Sequence, residues 1–430
     1  MTTTTGTTRD RIEAAITEMA LTHRERLPII KGMFVALLAR QHLLMLGPGG
    51  TGKSFLVRDL ASRIVDSRYF EIAFDETSDP GQAFGPTDIK SMKDRFRVKG
   101  IFHDTWGDAF QHAKILASGD IEVAQTYIEQ VPGKYRRITT NMLPEAEIAF
   151  LDEFFNANGP LLHGLMPILN ERLFHNNGTP TATPLWSMFA GTNKLNADAD
   201  QAALWDRIHH RHVIAPVRGR DNLRQVALDS VTRRVSGFVE ADKATIELSE
   251  LHAAHDEAMR LEMPDNVLDT FMDIKEELFE SGIDVSVRRM NEGYAAVLAN
   301  SWLNGHDAVT TADLDVLQSM WWVLQADADT ARGIILGATN PGAKAALELL
   351  DQLDRVRAEL AVAQNDGRDP KHLRQAGMEA YKNYKRLAQE AEELRVKAVA
   401  AGNATDRIDE AIGTATQLTA KVEQEVFNIR

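Results

Sequence analysis

Residues 43–54, Leu-Leu-Met-Leu-Gly-Pro-Gly-Gly-Thr-Gly-Lys-Ser, constrain this chain more than any other stretch. An apolar run that reads as a strand gives way to a G-x-x-x-x-G-K-S loop, and the helix-compatible run 55–61 comes next. In that order glycines let backbone N–H groups curl around phosphate oxygens, and the following helix turns its positive end towards them. Lys53 is placed to reach the β- and γ-phosphates, and the Ser54 hydroxyl to sit on Mg²⁺. The segment expected to hold a nucleoside triphosphate is Gly47, Pro48, Gly49, Gly50, Thr51, Gly52, Lys53, Ser54 and Phe55. A plain glycine turn is the alternative, and the complete match in a strand–loop–helix setting disfavours it.

At 430 residues the chain has room for two or three domains, each with its own core. It has no cysteine, which excludes disulfides and thiolate metal sites. No uninterrupted apolar stretch approaches the length of a membrane span and no signal-peptide pattern is present, so a cytoplasmic location is expected. The balance of 48 Lys and Arg against 62 Asp and Glu gives a net charge of −14. That does not favour a polyanion-binding surface.

Residues 1–8 are polar and threonine-rich, and are expected to be a disordered tail. From 9 to about 41 the patterning is helical. Strand-like runs then appear at 43–46, 70–74, 147–151 and 186–190, with another at 212–215, and helical stretches separate several of them. Such alternation predicts an α/β domain over 9–220, a parallel sheet with helices on both faces. From about 221 the pattern reads as wholly helical, giving an all-α domain to about 335, with Thr311 as the N-cap of one of its helices. Asn340-Pro341-Gly342 punctuates the chain. Beyond it, apolar residues in alternating steps of three and four, beginning Ala346, Leu349, Leu353, predict a C-terminal helical hairpin, bundle or coiled coil over 345–430.

Three further segments bear on chemistry. The run 147–153, Glu-Ile-Ala-Phe-Leu-Asp-Glu, is an apolar strand closing in two acids. Asp152 is placed to hold Mg²⁺ through water and Glu153 to polarise an attacking water. The next strand ends at Thr192-Asn193, where Asn193 is the candidate to orient that water and feel the γ-phosphate; a turn-capping amide is the alternative. In 204–212, Leu-Trp-Asp-Arg-Ile-His-His-Arg-His, Arg207 is the first candidate, and Arg211 the second, to reach a neighbouring subunit's phosphate; a surface ion pair is the alternative for each. The three histidines of this run lack an accompanying carboxylate motif, so no metal site is read there.

Taken together, these motifs resemble the MoxR class of AAA+ ATPases, in pattern closest to the RavA-type branch. The resemblance runs from about residue 20 to 335. It rests on 47–54, on Phe84-Gly85-Pro86 with Lys93-Asp94, and on 143–153, Leu-Pro-Glu-Ala-Glu-Ile-Ala-Phe-Leu-Asp-Glu. It continues through 168–174, Ile-Leu-Asn-Glu-Arg-Leu-Phe, then Thr192-Asn193, 204–207 and 285–289. By this resemblance Asn193 matches sensor 1, Arg207 the arginine finger and Arg288 sensor 2. It further implies ATP and Mg²⁺ as cofactors, a homo-hexameric ring, a partner with a von Willebrand A domain, and a chaperone-like action on a protein client. Two departures stand out. An extra segment lies at about 100–134, with helical-looking 105–116 and 121–128, where the family is short. Residues 345–430 are helical throughout, unlike the mixed helix-and-strand appendage of the RavA branch.

The leading expectation is therefore a ring ATPase that remodels a protein client. The alternatives are a nucleic-acid motor of helicase or restriction type on the same core, which the net charge opposes, and a scaffold whose slow hydrolysis times assembly.

Overall fold

The computed structural model describes residues 6–193, 205, 207–236, 243–322, 324–365, 370–400 and 405–425. They divide into two compact units, one of residues 1–260 with 291–305, the other of residues 261–290 with 306–430. The helical region expected over 221–335 is thus shared between the two.

Five strands build the main sheet of the first unit: β1 Leu43–Leu46, β2 Tyr69–Ala73, β3 Ile148–Asp152, β4 Ser187–Thr192 and β5 His210–Val213. All pair in parallel, in the order β5-β1-β4-β3-β2. Every residue of β1 and β4 is buried, as central strands of a parallel sheet covered on both faces require. The register aligns the strand tips, with Leu46 opposite Thr192 and Ala190 opposite Leu151. The residues that follow β1, β3 and β4 therefore emerge side by side. Phe84, Leu151, Phe154, Leu165 and Met188 belong to one core cluster, which joins the sheet to the flanking helix Gly159–Glu171.

The last strand differs from the expected 212–215. Polar residues fill it because each has a burial solution: His210 Nε2 lies 2.7 Å from Gln41 Oε1, and Arg211 donates to the Trp205 carbonyl at 2.7 Å. Nor is the chain wholly helical after 221, since Ile246–Glu247 pairs in parallel with Ile64–Val65. At the N-terminus the first helix, Thr8–Thr22, starts inside the expected tail, because Thr7 and Asp10 form a reciprocal capping box; residues 1–5 lie outside the described residues.

The extra segment folds as a small α+β element. Strands Arg95–Val98, Ile101–His103 and Ile128–Val131 form an antiparallel sheet, and helices Trp106–Leu116 and Ile121–Thr126 pack with it around Val98, Ala109, Ala113 and Ala124. A hairpin, Leu173–Asn176 with Thr179–Ala182, turns at Asn177 and Gly178, whose φ values of +56° and +73° suit a two-residue primed turn.

Helices fill the second unit. The N-cap expected at Thr311 falls on Thr310, because the buried Asp313 carboxylate accepts from Thr310 N (2.9 Å) and Oγ1 (2.8 Å). Helices 341–365, 370–400 and 406–425 form a C-terminal bundle whose core includes Leu349, Leu353, Tyr384, Leu387, Ala415 and Val422. No helix among the described residues is long and apolar enough to cross a membrane.

Burial leaves a pH signature in the first unit. His212 packs so closely on the helix Leu27–Leu38 that a Cβ on Gly32 would lie 2.4 Å from its Nε2. That nitrogen has no hydrogen-bond partner among the described residues. Burial pushes the imidazole down to about 4 from its ordinary 6.5. Above pH 6.5 the ring is neutral folded or unfolded, and its contribution is complete. As pH falls from 6.5 towards 4 the unfolded chain binds a proton that the folded chain excludes, and stability is lost, by at most about 3 kcal/mol from this group. Burial also holds His42 and His210 well below the usual range, which adds in the same direction. Denaturation midpoints are expected to fall steadily from pH 7 to pH 4.5, and less steeply in His212→Gln. An unchanged pH slope in that variant would remove His212 from the account.

Candidate nucleotide site

The phosphate loop leaves β1 through Gly47, whose N–H donates to Thr192 O at 3.0 Å and so extends the pairing with β4. A Cβ at this position would sit 2.3 Å from the Ile214 carbonyl oxygen, so only glycine lets the strand end here. Gly50 and Gly52 hold φ of +80° and +86°. Around Gly49, Gly50 and Gly52 an added Cβ would meet nothing within 4 Å, which makes the loop an open cradle of backbone. Gly52 is the N-cap of the helix Lys53–Ala61, whose first-turn N–H groups, beyond reach of the helix's own carbonyls, give that end its positive character. Thr51 Oγ1 donates to Pro48 O at 3.0 Å and braces the loop. Lys53 is buried and folded back, its Nζ donating to Gly47 O (2.7 Å) and Pro48 O (3.4 Å). Phosphate oxygens would take the place of these carbonyls. The Phe55 ring packs on His23, with centroids 4.6 Å apart.

The acids arrive from β3. Asp152 is its last residue, with Oδ2 accepting from Ser54 Oγ at 3.4 Å and Oδ1 from Glu153 N at 3.0 Å. A hydroxyl and a carboxylate oxygen side by side at the mouth of a phosphate loop fit the hard-oxygen donor set of Mg²⁺. Glu153 adopts the left-handed conformation, φ +49°, which costs a residue with a Cβ about 1 kcal/mol or more. Its Oε1 accepts from Asn193 Nδ2 at 3.2 Å, just past the tip of β4, while Oε2 is buried with no hydrogen-bond partner among the described residues. A strained, half-satisfied carboxylate is not what packing alone would select.

The arginines separate by burial. Arg211 is 2% exposed, and its guanidinium lies 4.7 Å from the centre of the Trp205 ring, so it is held inside the first unit. Arg207 sits in the turn before β5 and is half-buried. In the second unit Arg288 is exposed at the start of the helix Val287–Leu303, whereas Arg289 is buried and donates to Trp322 O at 3.4 Å. Among the described residues no group of three or more His, Asp or Glu is arranged to hold a metal ion.

One residue of the site escaped the sequence reading. Gly191 lies in β4 between the acids and the lysine, and a Cβ there would come within 2.3 Å of Asp152 Oδ1 and 3.2 Å of Lys53 Cε. The absence of a side chain lets carboxylate and ammonium stems share the space over the strand. Nothing in a strand sequence ending in Ala-Gly-Thr-Asn distinguishes that role from a loosely packed glycine.

Comparison with known proteins bears on the fold and the family. A crystal structure of a candidate ATPase from Cytophaga hutchinsonii superposes with a TM-score of 0.53 at 14% identity, covering 77% of this chain and 95% of that one, which shows a shared fold. Two uncharacterized proteins of Methanocaldococcus jannaschii are similar in sequence. One is 27% identical over 425 residues, 96% of each chain, and the other 28% identical over 358 residues, 83% of each. A family model, that of the MoxR domain in MoxR–vWA–β-propeller ternary systems, matches residues 10–101 and 126–255, leaving most of the extra segment unmatched. With just over half of its length matched, and with the fold of an AAA+ protein, the chain belongs to the MoxR family.

Proposed function

We propose that this chain is an ATP-hydrolysing ring ATPase, a cytoplasmic homo-hexamer that remodels a protein client together with a partner carrying a von Willebrand A domain. The observation that carries the reading is the convergence of Lys53, Ser54, Asp152, Glu153 and Asn193 at the aligned tips of β1, β3 and β4. Lys53 turns from the loop carbonyls to the β- and γ-phosphates. Ser54, and Asp152 through water, would hold Mg²⁺, which would neutralise charge developing on the phosphate oxygens. Glu153 takes the proton of the attacking water, and Asn193, now bonded to Glu153, turns its amide to the γ-phosphate. Arg207 reaches the site of the next subunit, a role Arg211 cannot take from its buried position. Arg288 reports the nucleotide to the helical region. The vWA component of the systems named for the matched family supports the partner assignment, and the RavA-type branch is the nearest in pattern.

Because the arginine comes from a neighbour, turnover per chain is expected to rise with protein concentration in step with assembly measured by sedimentation. Arg207→Ala should lower turnover of the assembled protein by about 10²-fold or more while ATP still binds. Concentration-independent turnover that survives Arg207→Ala would sink the shared site. A protein that assembles but hydrolyses nothing with any partner would leave the scaffold reading.

A further inference from the structure

The segments that lead into and out of the extra α+β element, 88–93 and 134–138, run together as a neck. Asp88 N donates to Arg136 O (2.8 Å) and Lys134 N to Ser91 O (2.6 Å). The hairpin turn braces it, with Asn177 Oδ1 accepting from Tyr135 N (3.2 Å) and Asn176 Oδ1 from Arg137 N (2.8 Å). On this neck Lys90, Lys93, Lys134 and Arg136 are exposed, and their side chains form no hydrogen bond or ion pair among the described residues. Nearby cations are already used, Arg95 by Asp104 and Arg97 by Glu129. Between the four lie exposed apolar side chains, Ile89 at 72% and Tyr135 at 69%. A basic, apolar surface is out of keeping with a chain of net charge −14.

The second unit carries its complement. The helix Asp265–Glu280 buries Val267, Phe271, Ile274 and Leu278 on one side. Opposite them, within about 120° of arc at 100° per residue, stand Asp269, Met272, Asp273, Glu276, Phe279 and Glu280. All six are exposed, Phe279 at 64%, and the four acids form no ion pair among the described residues. Acids flanking two apolar side chains match cations flanking apolar side chains in both charge and hydrophobicity.

We infer that the basic neck is a docking surface for the acidic face of the helix Asp265–Glu280 from a second copy of this chain. The two patches are different surfaces of one molecule, so the contact is heterologous, and it closes into a ring when the rotation per copy allows. A nucleic acid is the poorer occupant, because Ile89 and Met92 among the cations offer a phosphate backbone nothing, and of the neck's exposed apolar side chains Tyr135 alone has a flat face on which a base could stack. The inference rests on the ring reading above and adds which surfaces meet.

The test is a charge swap in the full chain, with association measured by sedimentation velocity in the presence of ATP. Lys93→Glu with Arg136→Glu, and separately Asp273→Lys with Glu276→Lys, should each weaken association about tenfold or more, and combining all four should restore most of the loss. Circular dichroism and thermal melting accompany each variant, so that misfolding is recognised. If the wild type does not associate, the ring reading falls and this contact with it. If the wild type associates and the combined variant is as weak as the sum of its parts, only this contact falls. Loss of binding to single-stranded DNA in the neck variant, with association unchanged, would likewise overturn it in favour of a polyanion.

Discussion

Glu153→Gln is expected to lower ATP turnover by about 10³-fold while changing ATP affinity by no more than about threefold. The two effects separate because, in the proposed site, the carboxylate holds neither phosphate nor metal: those tasks are assigned to Lys53, Ser54 and Asp152. Glutamine keeps the size of the side chain and an oxygen to accept from Asn193, so the geometry at the tip of β4 persists. What disappears is a group able to take the proton of the attacking water. The buried Oε2, without a hydrogen-bond partner among the described residues, makes the same point, since an amide nitrogen placed there would bring donors where a proton acceptor is needed. Asp152→Asn should behave differently, weakening Mg²⁺ and with it nucleotide binding, so that KM rises as well. ATP held without hydrolysis should also favour the assembled state, by linkage between ligand and assembly. Single-turnover kinetics with a separate binding measurement checks the pair; a Glu153→Gln enzyme retaining more than about a tenth of wild-type turnover would remove Glu153 as the base.

Much of this site was legible because its chemistry is local in sequence. The phosphate loop needs its glycines, a lysine and a hydroxyl within one short window, and the acids need an apolar strand directly before them, so brief stretches suffice to find both. The parallel sheet followed from short apolar strands separated by helices, although the edges moved by one or two residues where polar side chains entered the ladder. The strand His210–Val213 shows why: periodicity reads His210 and Arg211 as polar, and only their partners Gln41 and Trp205, distant or out of strand, make them buriable. The small sheet of the extra segment was missed for a related reason. Its strands are three or four residues long and carry Arg95, Arg97 and Glu129 outward, so no apolar run marks them. Gly191 stayed hidden because its importance lies in an absent side chain between two others.

Arg172 is the clearest residue whose presence was legible and whose purpose was not. Replacing it with Ala is expected to destabilise the first unit by about 4 kcal/mol. The residue closes the helix Gly159–Glu171 in the left-handed conformation, φ +56°, and folds its guanidinium back under that helix's end. There it donates to Leu169 O, and to Arg40 O (3.1 Å) and Trp186 O (3.4 Å), so one cation joins three chain segments around the helix's negative end. Burial lowers its pKa to about 10, which leaves it charged at neutral pH. His42 packs into the same corner: its Nδ1 accepts from Met188 N at 3.0 Å, and its Nε2 lies 2.8 Å from Arg172 Nη1 and 3.1 Å from Leu169 O. Alanine would strand these carbonyls and keep the backbone strain; glycine would relieve the strain and leave the carbonyls stranded. The expected order of stability is therefore wild type, then Arg172→Lys, then Arg172→Gly, then Arg172→Ala, read from urea denaturation midpoints. Because Trp186 leads directly into β4, the loss should reach Asn193, and nucleotide affinity should fall with stability along the same series. A stable Arg172→Ala protein would mean that water replaces the guanidinium at no net cost. A stable protein with lost affinity would instead assign Arg172 to the geometry of β4 alone.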